Sequence, residues 1–460
     1  MKFDIDKNSL IINPYHSEGH IYVREQKGYW QKIRRGLSWF LMILFIAIPW
    51  LNYQGQQAFL LDIGAQHFRV FGMTFLPQDL MILAWLFMAA AFALFFVTNW
   101  LGRVWCGFIC PQTIWMLMFT WVEHRVEGTR NQRIKLDKAD WSAEKLAKKS
   151  IKHGAWLVIA FLTATTFMTY FIPARNLYVE LFAGTWSGLT WFWVGLFTLC
   201  TYGNAGWLRE KMCTVACPYA RFQSVMFDKD TKLVTYDAAR GENRGPRKRK
   251  ANSGELGLGD CVDCNLCVEV CPAGIDIRNG LQYECINCGL CIDACNDTMS
   301  KFAYAPGLIR FSSENSMIGK ISRAANLKRV GYASLTLLTL GVMVVWLNLR
   351  MPIEVSVIRD RNALFRVDYT GLVENPYTLS IINKTQQPLH YQLSVQGVTI
   401  KEFKAPEQIL IEAGEMSLVP VTIIAEPWEL AHKVTEIEFV INAIEDPTIS
   451  IVKSSYFYRN

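Results

Sequence analysis

Apolar residues gather in a few long runs along most of this chain, and near its end they begin to alternate with polar ones. Five runs are long enough for helices that cross a bilayer, whose hydrocarbon core takes roughly 20 helical residues. They are 36–53 (GLSWFLMILFIAIPWLNY), 80–100, 154–172, 186–206 and 330–349. A sixth apolar piece, IWMLMFTWV at 114–122, is too short to span and is expected to be re-entrant or interfacial. From about residue 352 the period becomes two, in segments such as YTLSIINKT, LHYQLSV, SLVPVTIIA and TEIEFVINA, separated by turns such as ENPY and EAGE. Seven or more such strands predict an all-β, antiparallel sandwich of immunoglobulin-like type.

Composition agrees with membrane spans: mean hydropathy is +0.15, with 16 Trp and 27 Phe. Charge then orients the spans, because short loops rich in Lys and Arg stay on the cytoplasmic side. The amino-terminal segment carries Lys2, Lys7, Arg24, Lys27, Lys32, Arg34 and Arg35, and 101–153 is equally basic, whereas 54–79 and 173–185 hold only Arg69 and Arg175. The amino terminus is expected inside and the sandwich outside, in a bacterial inner membrane. No small-residue cleavage site follows the first apolar run, so a cleavable signal peptide is not expected. The net charge of +7 follows from the same bias. The run RGPRKRK at 244–250 predicts contact with anionic lipid heads and not with nucleic acid. Residues 137–153 predict a basic amphipathic helix on the inner leaflet.

The chemistry is carried by cysteine. Residues 261–295 read CVDCNLCVEVCPAGIDIRNGLQYECINCGLCIDAC, two copies of C-x2-C-x2-C-x3-C. In this bacterial ferredoxin spacing three thiolates wrap one 4Fe-4S cube and the fourth reaches the other cube. Cys261, Cys264, Cys267 and Cys295 are therefore expected at one cluster, and Cys285, Cys288, Cys291 and Cys271 at the second. Pro272 follows the first quartet, while Asn296 stands where the second would have Pro. Zinc sites and disulfide frameworks do not predict two equally spaced quartets. Residues 351–460 hold no cysteine, which fits an outer domain beside a reduced, cytoplasmic α+β ferredoxin insert.

A second cysteine pattern is duplicated. NWLGRVWCGFICPQT carries Cys106, Cys110 and Pro111, and GWLREKMCTVACPYAR carries Cys213, Cys217 and Pro218, without a gap between the copies. Cysteines at i and i+4 share a helix face, so two facing pairs could offer four thiolates. Soft thiolates favour Cu(I), zinc or an iron-sulfur cluster, and Met116, Met118, Met212 and His124 stand near as further copper ligands. Cys200 has no partner in the pattern and reads as a packing residue. His16, His20, His67 and His153 lack ligand spacing and read as surface or interface residues. Arg103, Arg125 and Arg209 beside the cysteine motifs could stabilise anionic clusters or thiolates, although positive flanking of the spans alone accounts for them.

The resulting organisation is a multidomain membrane protein with about five transmembrane helices. It has a cytoplasmic segment at 1–35, a membrane region at 36–206 with the first C-x3-C-P motif, and a cytoplasmic part at 207–329 with the second motif and the ferredoxin insert. A last span at 330–350 and the sandwich at 351–460 complete it.

In WCGFICPQT, CTVACPYAR, the double-cluster insert and a sandwich opening near NPYTLSIINKT, the chain resembles the FixG/CcoG (RdxA) family of cytochrome c oxidase accessory proteins over nearly its whole length. The resemblance implies a role in maturing cbb(3)-type oxidase. It further implies cupric reductase activity supplying Cu(I) to a copper transporter or chaperone, and makes Cys106, Cys110, Cys213 and Cys217 the copper or redox cysteines. The cytoplasmic electron donor is unspecified and a homodimer is left open. Two alternatives stand beside this reading: a membrane relay exchanging electrons with quinol, and a non-enzymatic assembly scaffold or redox sensor.

Overall fold

The computed structural model describes residues 21–459 except 54, 65, 250–256, 322–325, 361–363, 370, 386 and 429–431. Lys2, Lys7, His16, His20 and the last residue of the basic run lie outside the described residues. The chain forms two units: Met1–Ala47, Trp85–Met168 and Tyr178–Gly341 make the first, and Ile48–Ala84, Thr169–Leu177 and Val342–Asn460 the second.

The apolar runs become helices α1 (Tyr29–Ala47), α2 (Met81–Leu101), α3 (Val104–Phe108), α4 (Pro111–Val126), α5 (Arg130–Lys138), α6 (Ala143–Met168), α7 (Ala174–Ala183) and α8 (Gly188–Tyr202), with Leu327–Leu349 preceding the alternating segments in sequence. Among the described residues, five helical stretches are long and apolar enough to cross a membrane: Tyr29–Trp50, Met81–Leu101, Val104–Val126, Ala143–Met168 and Leu327–Leu349. The set differs from the sequence expectation at two places. The short piece 114–122 is extended by α3 and α4, because Pro111 sits in the first turn of α4, where its missing N–H breaks no helical bond. The run 186–206 yields only the 15 residues of α8 before the backbone widens into a π-helical turn, Gly203–Leu208. α2 buries only Ala89, Thr98 and Asn99, and its remaining apolar surface is what a lipid-facing helix presents.

The expected surface helix at 137–153 is not a separate element. α6 begins at Ala143 and runs unbroken to Met168. Its lysines find carboxylates: Lys149 lies 2.8 Å from Glu127 and 2.5 Å from Asp137, and Lys152 3.0 Å from Glu127. Ion pairing and burial have drawn this basic face inward, leaving Trp141 exposed.

The cysteine-rich region is closed by an antiparallel pair, Leu233–Tyr236 with Ile309–Ser312. Between them lie the short helix Leu266–Glu269 and the longer Leu290–Lys301.

In the second unit the alternating segments form two antiparallel sheets. One orders Glu402–Lys404, Met416–Ala425, Val373–Asn383 and Ile353–Arg359, with Arg366–Val367 paired beside it. The other orders Ile409–Ile411, Leu389–Gln396, Val434–Ala443 and Ser450–Tyr458. Leu379, Ile381, Tyr391, Ile437, Phe439 and Ile441 are wholly buried between them. The connection 54–79 was expected as a loop, yet Phe59–Asp62, His67–Val70 and Met73–Phe75 pair into a small sheet. Beyond it Asp79 binds Arg350 at 2.6 Å and Lys384 at 3.0 Å. Burial opposes the Asp79 charge, but the Lys384 hydrogen bond and Arg350 outweigh it and hold the carboxyl below its usual range.

Candidate functional site

The eight ferredoxin-type cysteines line two neighbouring cavities. Cys261, Cys264, Cys267 and Cys295 surround one, with Tyr236, Met299 and Leu308. Cys271, Cys285, Cys288 and Cys291 surround the other, with Cys267 on the wall facing the first. The loops curl because Asp263, Asn265 and Asn287 take left-handed backbone (φ +53°, +57° and +52°) and Gly289 follows at +75°. Asn, Asp and Gly tolerate that region best. Each run of three cysteines thus bends around one hollow, while Cys295 comes from the helix Leu290–Lys301.

Among the described residues no three Cys, His, Asp or Glu side chains converge on a point that would suit a single ion. Four thiolates spread around a hollow suit a cube of several irons, each taking its own ligand. Burial raises these thiols: Cys267 and Cys285 to about 11, Cys271 and Cys295 to about 12. Neutral thiols buried in this way become ligands only by giving up protons as iron binds.

The second half of the duplicated motif folds alike in both copies, whereas Cys106 lies in α3 and Cys213 in a π-helical turn, Met212–Ala216. Cys110 is the N-cap of α4 with Pro111 in its first turn, and Cys217 is the N-cap of the helix Pro218–Met226 with Pro218 in its first turn. The Thr113 N–H donates to the Cys110 carbonyl at 3.0 Å, and neither cysteine side chain accepts a cap hydrogen bond. A helix N-terminus is where a thiolate is stabilised, so C-x3-C-P is a device for placing a cysteine there. Burial, followed by Cys110 and Cys106, pushes the Cys213 thiol up to about 12, which puts the two copies within electrostatic reach of one another.

The first copy is packed onto the ferredoxin module. Cys106 is buried against Val270, Ile286, Cys288, Leu290 and Ala294. A Cβ on Gly107 would stand 2.6 Å from the Ile286 carbonyl and 3.0 Å from Cys288 Cα, so only glycine allows this approach. Cys106 Sγ donates to Gln223 Oε1 at 3.4 Å, and Arg103 Nε donates to the same oxygen at 2.8 Å. Of the two readings of Arg103, the charged flank alone is too little: it is 2% exposed, and its Nη1 donates to the Tyr283 carbonyl.

Arg209 is likewise internal. Its Nη2 pairs with Glu123, whose other oxygen binds Arg133 Nη1 at 2.8 Å, and Glu123 and Arg133 are each 1% exposed. Its φ of +43° is unusual for a non-glycine residue and falls between the π-helical turn and the second cysteine pair. Arg125 lies over the Trp121 ring, and the Tyr202 hydroxyl lies 2.9 Å from His153 Nδ1. Cys200 is exposed on α8, so it is not the packing residue expected.

Sequence reasoning placed the first helix but missed its ties to the cysteine-rich region. The backbone N–H groups of Trp30 and Gln31 donate to the Asp293 carboxylate at 3.2 and 2.9 Å, and Arg34 Nε donates to the Gly107 carbonyl at 2.9 Å. Arg34 is 1% exposed, has no carboxylate at ion-pair distance among the described residues, and feels Cys288 and Cys271. A cation inside an apolar helix was the available signal, and it was absorbed into the positive flank.

Comparison with known proteins gives three family matches: a 4Fe-4S binding domain over residues 81–127, a 4Fe-4S dicluster domain over 208–314, and the IG-like fold at the C-terminal of FixG over 343–460. The nitrogen fixation protein FixG of Rhizobium meliloti is 33% identical, across 84% of this chain and 82% of its own. Protein RdxA of Cereibacter sphaeroides is 37% identical, across 79% and 80%. A solved structure of a FixG-related protein from Vibrio parahaemolyticus is 39% identical, covering 24% of this chain and 99% of that one, with a TM-score of 0.23.

Proposed function

Because the chain belongs to the FixG and RdxA family, we propose that this membrane iron-sulfur electron-transfer protein is a cupric reductase. Its substrate is Cu(II), which takes one electron to become Cu(I), and its product serves the assembly of a cbb(3)-type cytochrome oxidase. The observation that carries the reading is the packing of the first C-x3-C-P copy, with Cys106 and Gly107 directly against Cys288.

The residue roles follow from chemistry. Cys261, Cys264, Cys267 and Cys295 hold one 4Fe-4S cluster, and Cys271, Cys285, Cys288 and Cys291 the other; bound clusters supply one-electron chemistry. Cys110 and Cys217, at their helix N-termini, and Cys106 and Cys213 hold copper, thiolate being a ligand that favours the Cu(I) product. Arg103 and Gln223 orient Cys106. Glu123 ties Arg209, beside the second motif, to Arg133, and so fixes one cysteine pair relative to the other. The cysteine-rich module lies in the cytoplasm and the sandwich outside, where it meets assembly partners, and Cu(I) passes to a copper chaperone or transporter.

The test is anaerobic. Reduced protein in detergent receives one equivalent of Cu(II), with the cluster EPR signal and Cu(I) formation followed together. Stoichiometric reaction in the wild type, lost in Cys106→Ser and Cys217→Ser at unchanged iron content, is the expected result. Retained activity in both variants overturns the site.

A further inference from the structure

The first unit contains a cavity of about 460 Å3 between α1 and α4, a size that suits a small organic molecule. Trp39 and Met42 of α1 face Met118 and Trp121 of α4 across it, and its inner end is formed by Pro272 and Leu290. Those two residues are the chain neighbours of Cys271 and Cys291. The hollow therefore runs from apolar helices to the wall of one cysteine quartet.

Polar side chains also line it, among them Gln31, Arg34, Arg35, Ser38 and His124. Gln31 is 7% exposed, and its Oε1 has no hydrogen-bond partner. A buried acceptor left unpaired costs about 1–3 kcal/mol, so this oxygen is ready for a donor brought in from outside. His124 also lines the cavity, its Nε2 already held 3.1 Å from both the Val23 carbonyl and Arg133 Nη2. Glu25, exposed, marks the edge that water reaches.

A lipid tail would fill the apolar walls but offers no O–H to Gln31. A single metal ion would leave most of the space open. A quinol has a flat apolar ring of suitable size, two hydroxyl donors and a redox centre that profits from lying beside an iron-sulfur site. We propose that this cavity binds the ring of a membrane quinol, with Gln31 Oε1 accepting a hydrogen bond from one hydroxyl. The cavity is thereby the entry point for electrons. Oxidation of quinol to quinone releases two electrons and two protons; the electrons go singly to the two iron-sulfur clusters, and the protons leave through His124 and Glu25 to water. The inference stands whether or not copper is the final acceptor.

The experiment uses the full, iron-loaded chain in nanodiscs without copper, anaerobic and with its clusters already reduced, an azido-quinol photolabel and decylubiquinol as competitor. Labelling is expected on peptides from α1 and α4 and is suppressed by the competitor. In Gln31→Leu, which keeps the shape and removes the acceptor, roughly two- to tenfold more competitor is needed, as for the loss of one neutral hydrogen bond. Met118→Trp fills the space and abolishes the specific label, with iron content and the cluster absorbance checking the fold; if that variant does not fold, Gln31→Leu decides alone. Labelling that spreads over all apolar helices, resists competition or is unchanged in Gln31→Leu shows partition into lipid only and overturns the proposal. Because no copper is present, that failure leaves the cupric reductase reading untouched, and loss of cupric reduction leaves the label untouched.

Discussion

The two units bury different things. In the sandwich the fully buried large side chains include Tyr391, Phe439, Phe457 and Ile353; in the iron-sulfur unit they include Arg34, Arg103 and Arg133. Alternating apolar residues make up the core of the sandwich, and its buried polar groups, among them Asn375, Asn383 and a Lys384 paired with Asp79, are few. The other unit keeps cations and thiols inside, and these are stable only with partners, some of them carboxylates and some the inorganic groups the cysteines receive. The contrast predicts one unit that holds its fold unaided and another that depends on its cofactors.

The largest effect expected from this contrast comes from iron removal. Stripping iron should make 208–314 sensitive to protease while 353–458 resists as before; equal sensitivity of both would abolish the distinction. Next, Glu123→Gln leaves Arg133 and Arg209 buried without their shared carboxylate. A loss of roughly 3–5 kcal/mol is expected, seen as melting of the first unit with the sandwich transition unmoved. The converse change, Ile381→Ala, should cost the sandwich about 2–5 kcal/mol with full iron content and unaltered cluster spectra. The smallest effect is electronic: Arg34→Gln removes a buried cation beside Cys271 and Cys288. The midpoint potential of one cluster should fall by on the order of 60 mV, a tenfold change in a one-electron equilibrium, in a redox titration where the second cluster stays fixed.

The same contrast explains what the sequence could tell. The sandwich was legible because its core is written as alternation, as in Tyr377, Leu379 and Ile381. The cysteine quartets were legible because their spacing is local and strict, and the duplication because Trp100 and Trp207 head two copies of one motif. What escaped is non-local. Nothing near Trp30 announces a carboxylate at Asp293, and nothing near Lys149 and Lys152 announces Glu127. The span 104–126 was hidden because Pro111 interrupts its apolar text, although as a first-turn residue it interrupts no hydrogen bond. The small sheet at 59–75 is too short and mixed in composition to show a period, and it is defined by pairing with itself.

Asp293 also sets a clock. The amino end of α1 is finished by a carboxylate 263 residues further along the chain. At about 5–20 residues per second, a ribosome reaches that aspartate roughly 10–50 s after making Trp30. For that interval the first helix is in hand with its leading amides open, and it is completed by the same helix that brings Cys291 and Cys295. Insertion of the first segment into the lipid thus begins early, but its docking waits for the metal-binding region, so a truncated chain, or one halted before that region, is left with an unsealed end that proteolytic surveillance can recognise.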